Sequence, residues 1–250
     1  MNREQRNRIS HEFQSCVERT IVRINNDSGH RPFHAALLSE DALFWSKFER
    51  SFSTSFGQRV IEKISEIVAI SGGATQTQTQ RHTNITISTN KLSAIENHIS
   101  TLRDASGNRG NWNNDLASIN AVIDGPLTSE IRVISDLWWV KNGVNNYMSI
   151  KTVKPNIDQT AEAKKDLLKL KISDPTCNVY FGLYYNPYGE NRDDYDWTPP
   201  MRLFDFTDDQ CVLIGEEYWN TLGGVGSYEE VINIAMEVGE TTRNSLLNIR

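Results

Sequence analysis

The chain has 250 residues, 38% hydrophobic and 9% aromatic, with a formal net charge of -6. That length suits one large domain able to bury its own core, and a mean hydropathy of -0.50 excludes an apolar run near the ~20 residues of a membrane helix. The opening MNREQRNRIS lacks the apolar stretch of a secretory signal, so a cytoplasmic protein without membrane association is expected; Cys16, Cys177 and Cys211, odd in number and far apart, exclude a disulfide framework and a CxxC zinc site and read as buried reduced thiols.

In chain order, Ile9, Phe13, Val17, Ile21 and Ile24 recur at helical spacing and share one face. A second helix is expected after Ser39, whose hydroxyl can cap Glu40-Asp41-Ala42. A third is expected to open at Ser55 with Gln58 as a capping box, burying Val60, Ile61, Ile64, Ile67 and Val68 and presenting Arg59, Glu62, Lys63 and Glu66. Residues 71–90, rich in Thr, Gln and Asn, read as a flexible loop or a solvent-facing β-ribbon without core positions. Helical spacing returns at 91–103 and 113–123, on either side of the loop SGNRGN, and this mainly helical part ends near Gly125-Pro126.

The period then changes. Residues 128–140 and 145–153 carry strand composition around the turn Lys141-Asn142-Gly143, which predicts a β-hairpin. A Pro155-opened helix to about Lys171 and a strand over 177–185 follow, giving the order strand, strand, helix, strand. After a polar loop at 186–200, two short strands are expected within 201–214, and Ser227 with Glu230 predicts a capping box opening a last helix. The fold class expected is α/β (α+β), a mixed central sheet flanked by helices with a helical N-terminal part, in one domain over residues 1–250 divided near 125/126.

The chemistry concentrates on the hairpin. Ser149 and Lys151 share one strand face while Ile150 points inward, and Asp136 on the preceding strand can meet them. Asp158, Glu162 and Asp166 form one stripe of the following helix. An acid holding a divalent cation beside a lysine that positions water is an arrangement for phosphodiester hydrolysis. The expectation is that Asp136 and Glu162 hold Mg²⁺ with the main-chain carbonyl of Ile150, Asp158 and Asp166 being alternatives for the second acid, and that Lys151 positions the water. The histidines are rejected as a metal site for want of a His-Glu-x-x-His helix.

Net charge argues against a polyanionic partner, but residues 186–250 carry 4 basic and 13 acidic side chains, which leaves residues 1–185 at +3. Lys151, Lys154, Lys164, Lys165, Lys169 and Lys171 gather near the hairpin, a solvated helix face being the competing explanation. If the partner is duplex DNA, Lys154, Asn156 and Gln159 at the helix opening, Asn186, Asn191 and Arg192 in the 186–200 loop, and Arg81 in the ribbon with Gln76, Gln78 and Gln80 are the candidate contacts.

Asp136, Ser149-Ile150-Lys151 and KPNIDQ at 154–159 resemble the PD-(D/E)xK nuclease motif. Together with SFSTSFGQRVIEKI at 51–64, YFGLYYNPYGE at 180–190 and IGEEYWNTLGGVGSYEEV at 214–231, they resemble the TdeIII family of Type II restriction endonucleases. The resemblance implies a PD-(D/E)xK core and a Mg²⁺-dependent homodimer that cuts double-stranded DNA at a short palindrome of the GGNCC or GGWCC kind. Glu62, on a helix of the N-terminal half, is a further candidate ligand only through this resemblance to nucleases of one fold, weighed against a solvated, ion-paired glutamate. Two positions depart from the motif. Ser135 stands where proline is usual, and Ser149 stands where the triplet acid is usual, so Ser149 joins Asp136, Lys151 and Glu162 in the implied catalytic set. The alternative is a catalytically inactive, sequence-specific DNA-binding relative.

Overall fold

Asn2 and Gln5 cap each other's backbone amides and start the first helix, α1 (Arg3–Asn25), which buries Ile9, Phe13, Cys16 and Thr20. A short α2 (Pro32–Leu37) leads to α3 (Glu40–Ser55), whose first turn is capped by the Ser39 hydroxyl accepting from the Ala42 amide, as expected. The computed structural model describes residues 1–104, 107 and 109–247. Ser55 does not open a new helix. Its side chain makes no capping bond, and the chain continues through a π-helical turn (Phe56–Val60) into α4 (Ile61–Ser71); the Gln58 side chain of the expected box lies outside the description.

Strand β1 (Gln76–Ser88) corrects the reading of 71–90 as coreless, because Ile85 and Ile87 at its far end are buried. Its Thr-rich alternation suits an edge strand with one wet face. It realises the β-ribbon alternative within the mainly helical part. Helices α5 (Thr89–Arg103) and α6 (Trp112–Asn120) follow; the intervening loop SGNRGN falls partly outside the described residues.

The hairpin forms as read, with β2 (Thr128–Lys141) and β3 (Val144–Lys151) joined at Asn142 and Gly143, whose φ values of 54° and 76° meet the requirement of a type I′ turn for two positive φ angles. Helix α7 (Ile157–Ser173) carries the chain across to β4 (Asn178–Leu183), parallel to β3. A single turn α8 (Thr198–Met201) and one strand, β5 (Val212–Ile214), occupy the stretch where two strands were expected. Helix α9 (Glu216–Gly223), not anticipated, precedes α10 (Ser227–Leu247).

The five strands lie in the order β1-β2-β3-β4-β5, antiparallel through β3 and parallel beyond it. Alternation along the strands splits the core in two. Trp138, Tyr147 and Phe181 pack under α5, α6 and α7, while Leu137, Trp139, Met148 and Ile150 pack under α1, α4, α9 and α10. The sheet is therefore mixed and flanked by helices on both faces, as the fold class anticipated. Among the described residues, no helix is long and apolar enough to cross a membrane.

Lys164, in the middle of α7, is fully buried and pairs with Asp115 of α6 and the Leu203 carbonyl, over the Phe204 ring. Asp115 also pairs with His98 at 2.8 Å. Removing one partner of a buried pair strands the other's charge. Lys164→Ala is therefore expected to lower the unfolding free energy by about 3 kcal/mol or more, read by urea denaturation; a loss near that of an exposed lysine would contradict the buried network.

Candidate active site

The ladder between β2 and β3 ends at the pair Leu137 and Met148. Beyond it the strands part, and Asp136 fills the fork with its carboxylate. Its Oδ2 accepts from the Ile150 amide at 2.7 Å, the Lys151 ammonium at 3.1 Å and the Ser149 hydroxyl at 3.3 Å. Lys151 Nζ donates as well to the Ile150 carbonyl at 3.3 Å. Sequence reasoning thus placed Asp136, Ser149, Ile150 and Lys151 together, and they are together.

The second carboxylate at this fork is Glu62 of α4. Gln80 of β1 stands opposite Asp136, at a φ of 50° unusual for a residue with a side chain, and its amide nitrogen donates to Glu62 Oε1 at 2.9 Å and to Asp136 Oδ1 at 3.2 Å. One neutral amide therefore bridges two acids. Burial pushes the Glu62 carboxyl up to about 7; the Gln80 hydrogen bond counters this, the Asp136 charge adds to it, and Lys151 and Arg59 oppose it. The pocket encloses about 490 Å³ and is lined by Gly57, Arg59, Thr152 and Gln159 beside the residues already named.

Two convergent carboxylates and a main-chain carbonyl at the pocket wall form an all-oxygen donor set, and the unfavourable pairing of Glu62 with Asp136 is what a bound cation would relieve. The residues present fit a hard divalent ion that keeps part of its water shell. Among the described residues, no cluster of three or more His, Cys, Asp or Glu side chains offers a competing metal site.

The structure does not bring Glu162 to this pocket. Its carboxylate pairs with Lys165 at 2.8 Å and borders a different cavity, with Glu96 and Arg103 of α5. Asp158 pairs with Arg103, and Asp166 with Lys169 at 3.0 Å. The acidic stripe of α7 is real, but the helix buries Thr160, Ala163, Lys164, Leu167 and Leu168 against the sheet and so turns the stripe towards α5. The lysine row dissolves in the same way. Lys164 is buried, Lys165 and Lys169 are paired, and Lys171 donates to the Pro175 and Cys177 carbonyls, which leaves Lys151 and Lys154 near the fork.

The expected DNA contacts divide similarly. Asn156 and Gln159 form the capping box of α7, and Gln159 also lines the pocket. Lys154 sits over the Tyr188 ring at 4.6 Å and the Trp197 ring at 5.6 Å. Asn186 and Asn191 close the 186–200 loop on itself through the Asn191 carbonyl and Asp194. Arg192 directs its donors to Glu217 and to the carbonyls of Phe206, Asp209 and Val212, so it ties the loop to the sheet end and has no fork left to read a base. Arg81 stacks over Trp138 at 4.6 Å and donates to Gln78. Gln80 and Arg59 are the site residues whose roles the sequence reading missed. Only the exposed-face position of Arg59 beside Glu62 signalled it.

A five-stranded mixed sheet flanked by helices is consistent with a restriction-endonuclease-like fold. The family described as Type II restriction endonuclease, HinfI, matches residues 1–239, so the chain belongs to that family and is a site-specific deoxyribonuclease. Three relatives from Herpetosiphon aurantiacus agree. The chain is 28% identical to Type II restriction enzyme HgiEI (94% of this chain, 86% of the relative), 26% identical to HgiCII (89% and 82%) and 28% identical to HgiBI (91% and 84%). No solved structure gives a significant match. Enzymes of this class act on DNA and generally need a divalent metal.

The raised Glu62 carboxyl has a signed consequence for stability. A folded-state value near 7 against an ordinary 4.5 means that the metal-free fold is favoured by protonation, a contribution complete below about 4.5 and lost as pH rises through about 7. Glu62→Gln removes that loss. Urea unfolding without divalent cations is expected to show the variant gaining on the wild type between pH 5 and pH 8; a constant difference would mean that the Glu62 carboxyl is not buried in the pocket wall beside Asp136.

Proposed function

We propose that the chain hydrolyses double-stranded DNA in a Mg²⁺-dependent reaction at a short palindrome of the GGNCC or GGWCC kind, through a PD-(D/E)xK-type site resembling that of TdeIII enzymes. Asp136 and Glu62, joined by the Gln80 amide beside Lys151, are the observation that carries this reading. The cation would be held by Asp136, Glu62 and the Ile150 carbonyl, with Glu62 taking the part assigned from sequence to Glu162. When bound, it supplies Lewis-acid stabilisation of the charge that builds on the scissile phosphate.

The protein's own groups account for the rest. The Lys151 ammonium, fixed between Asp136 Oδ2 and the Ile150 carbonyl, orients the attacking water or steadies a phosphate oxygen. Ser149, donating to Asp136, holds the ligand carboxylate rather than replacing the missing triplet acid. The water oxygen joins phosphorus, one P–O ester bond breaks, and the departing oxygen takes a proton. Gln159, in the first turn of α7, lines the pocket, and Lys154, just before that helix, stands over the Tyr188 ring; both suit phosphate contacts. A palindrome read by one fold on both strands asks for a two-fold homodimer in which each subunit cuts one strand. Because α4 supplies a second acid, Ser149 leaves the donor set complete, which favours an active enzyme over an inactive relative.

Purified protein is expected to cut plasmid DNA at GGNCC or GGWCC sites with Mg²⁺ and to stop on chelation. Asp136→Asn, Glu62→Gln and Lys151→Ala are each expected to lower single-turnover cleavage by about a hundredfold or more while still binding DNA, whereas Glu162→Gln cuts at close to the wild-type rate. A silent Glu162 variant beside an active Glu62 variant would return the second acid to α7.

A further inference from the structure

A row of unpaired arginines leads away from the pocket across the N-terminal helices. Arg59, in the π-helical turn, borders both the catalytic pocket and a neighbouring groove of about 880 Å³, which Arg19 and Arg23 of α1 also line. Arg23 borders in turn a further groove of about 440 Å³ shared with Arg50 of α3. The three hollows thus adjoin at shared arginines. All four guanidinium groups are exposed, and among the described residues none has a carboxylate within 4.0 Å. Neighbouring cations differ. Lys63 is paired with Glu66, and Arg31 and Lys47 with Asp27.

We infer that Arg19, Arg23 and Arg50, entered through Arg59, form a track that binds the phosphate backbone of duplex DNA flanking the target sequence. This rests on the nuclease reading of the pocket, and it extends that reading to sequence the enzyme does not cut. Arg19 and Arg23 lie about one helical turn, roughly 6 Å of rise, apart on α1, so they present a line of charge rather than a point. Such a line matches a polyanion, binds without base selectivity and releases counterions on contact. The Nε groups of Arg19 and Arg23 already donate to the Ser15 and Arg19 carbonyls, which fixes the stems while the terminal nitrogens stay free for phosphate. Glu12 and Glu18 line the same groove. They set a limit on affinity, which Glu18→Gln should raise.

The test measures binding of the full chain, without divalent cation, to a long duplex carrying central GGACC and to a short duplex trimmed close to that sequence. Arg19→Glu/Arg23→Glu/Arg50→Glu is expected to weaken binding of the long duplex by about 10-fold or more and to flatten the dependence of log K on log salt by about 2 to 3 between about 50 and 200 mM. Trimming the flanks should cost the wild type affinity and cost the variant little. Arg132→Glu, outside the track, should leave binding near wild type where Arg23→Glu alone, an equal charge change, weakens it, and matched thermal unfolding shows that the variants are folded. Wild-type affinity and slope in the folded triple variant would overturn the track, as would an equal response to trimming in both proteins. A wild type that cuts no plasmid with Mg²⁺ but keeps the flank-dependent, arginine-dependent binding would sink the catalytic reading and leave the track standing.

Discussion

The site depends on one carboxylate doing the work of a missing strand partner. Where β2 and β3 part after Leu137 and Met148, the Ile150 amide donates to Asp136 Oδ2 instead of to a facing strand carbonyl. That bond turns the Ile150 carbonyl and the Lys151 side chain to fixed places beside the acid. Register is set several residues away, by the Asn142-Gly143 turn and by the need to keep Trp139, Met148 and Ile150 in the core. A slip of one residue would bury Lys151 and expose Ile150. The fork is therefore as well determined as the hydrophobic core beneath it.

Around that fixed acid, two irregular pieces of backbone bring the remaining groups. Gln80 adopts a left-handed conformation in the middle of an edge strand, which costs of order 1 kcal/mol or more for a residue with a Cβ, and its amide then reaches both carboxylates. The π-helical turn between α3 and α4 offsets the helix by a fraction of a turn and leaves Glu62 and Arg59 at the pocket wall. Gly57, inside that turn, packs where an added Cβ would reach van der Waals contact, at 3.4 Å, with the Thr152 methyl. Irregularity at both places coincides with the pocket, where strain in a fold tends to be retained for function.

Much of the site was legible in the sequence, and the failures have a common physical origin. Alternation and the Asn-Gly turn dictate the hairpin, so Asp136, Ser149, Ile150 and Lys151 could be joined from spacing alone. Periodicity also identified the stripe Asp158, Glu162 and Asp166 as one face of α7. Which way that face turns is a tertiary matter, decided by the burial of Thr160, Lys164, Leu167 and Leu168, and a buried lysine in that set made the apolar face hard to recognise. Glu62 posed the inverse problem: its neighbours Lys63 and Glu66 resemble an ordinary solvated face, and nothing local says that the π-helical turn rotates it towards another strand. The ribbon 71–90 looked coreless because Gln and Thr dominate it, while only Ile85 and Ile87 anchor β1. Short-range patterns locate elements; the mutual rotation of elements is what they leave open.

The acidic balance of the chain acquires a different meaning once its carboxylates are traced. Asp209 accepts from the Trp112 and Asp205 amides, Asp194 from the Asn191 amide, Glu217 from Arg192, and Glu230 from Arg6 and the N-terminal amine. These groups hold the long C-terminal connections, α9 and α10 to the rest of the molecule. Arg192, Arg6 and the N-terminal amine offset the charge of Glu217 and Glu230, and the charge of the others falls off with screening, over a Debye length of roughly 8 to 10 Å. In the proposed reading, a phosphate backbone approaching the fork meets Arg59 and Lys151 at the pocket wall. Net charge sums the whole chain, whereas attraction to DNA is governed by the few charges that face it unpaired, and in the proposed reading those are Arg19, Arg23, Arg50 and Arg59.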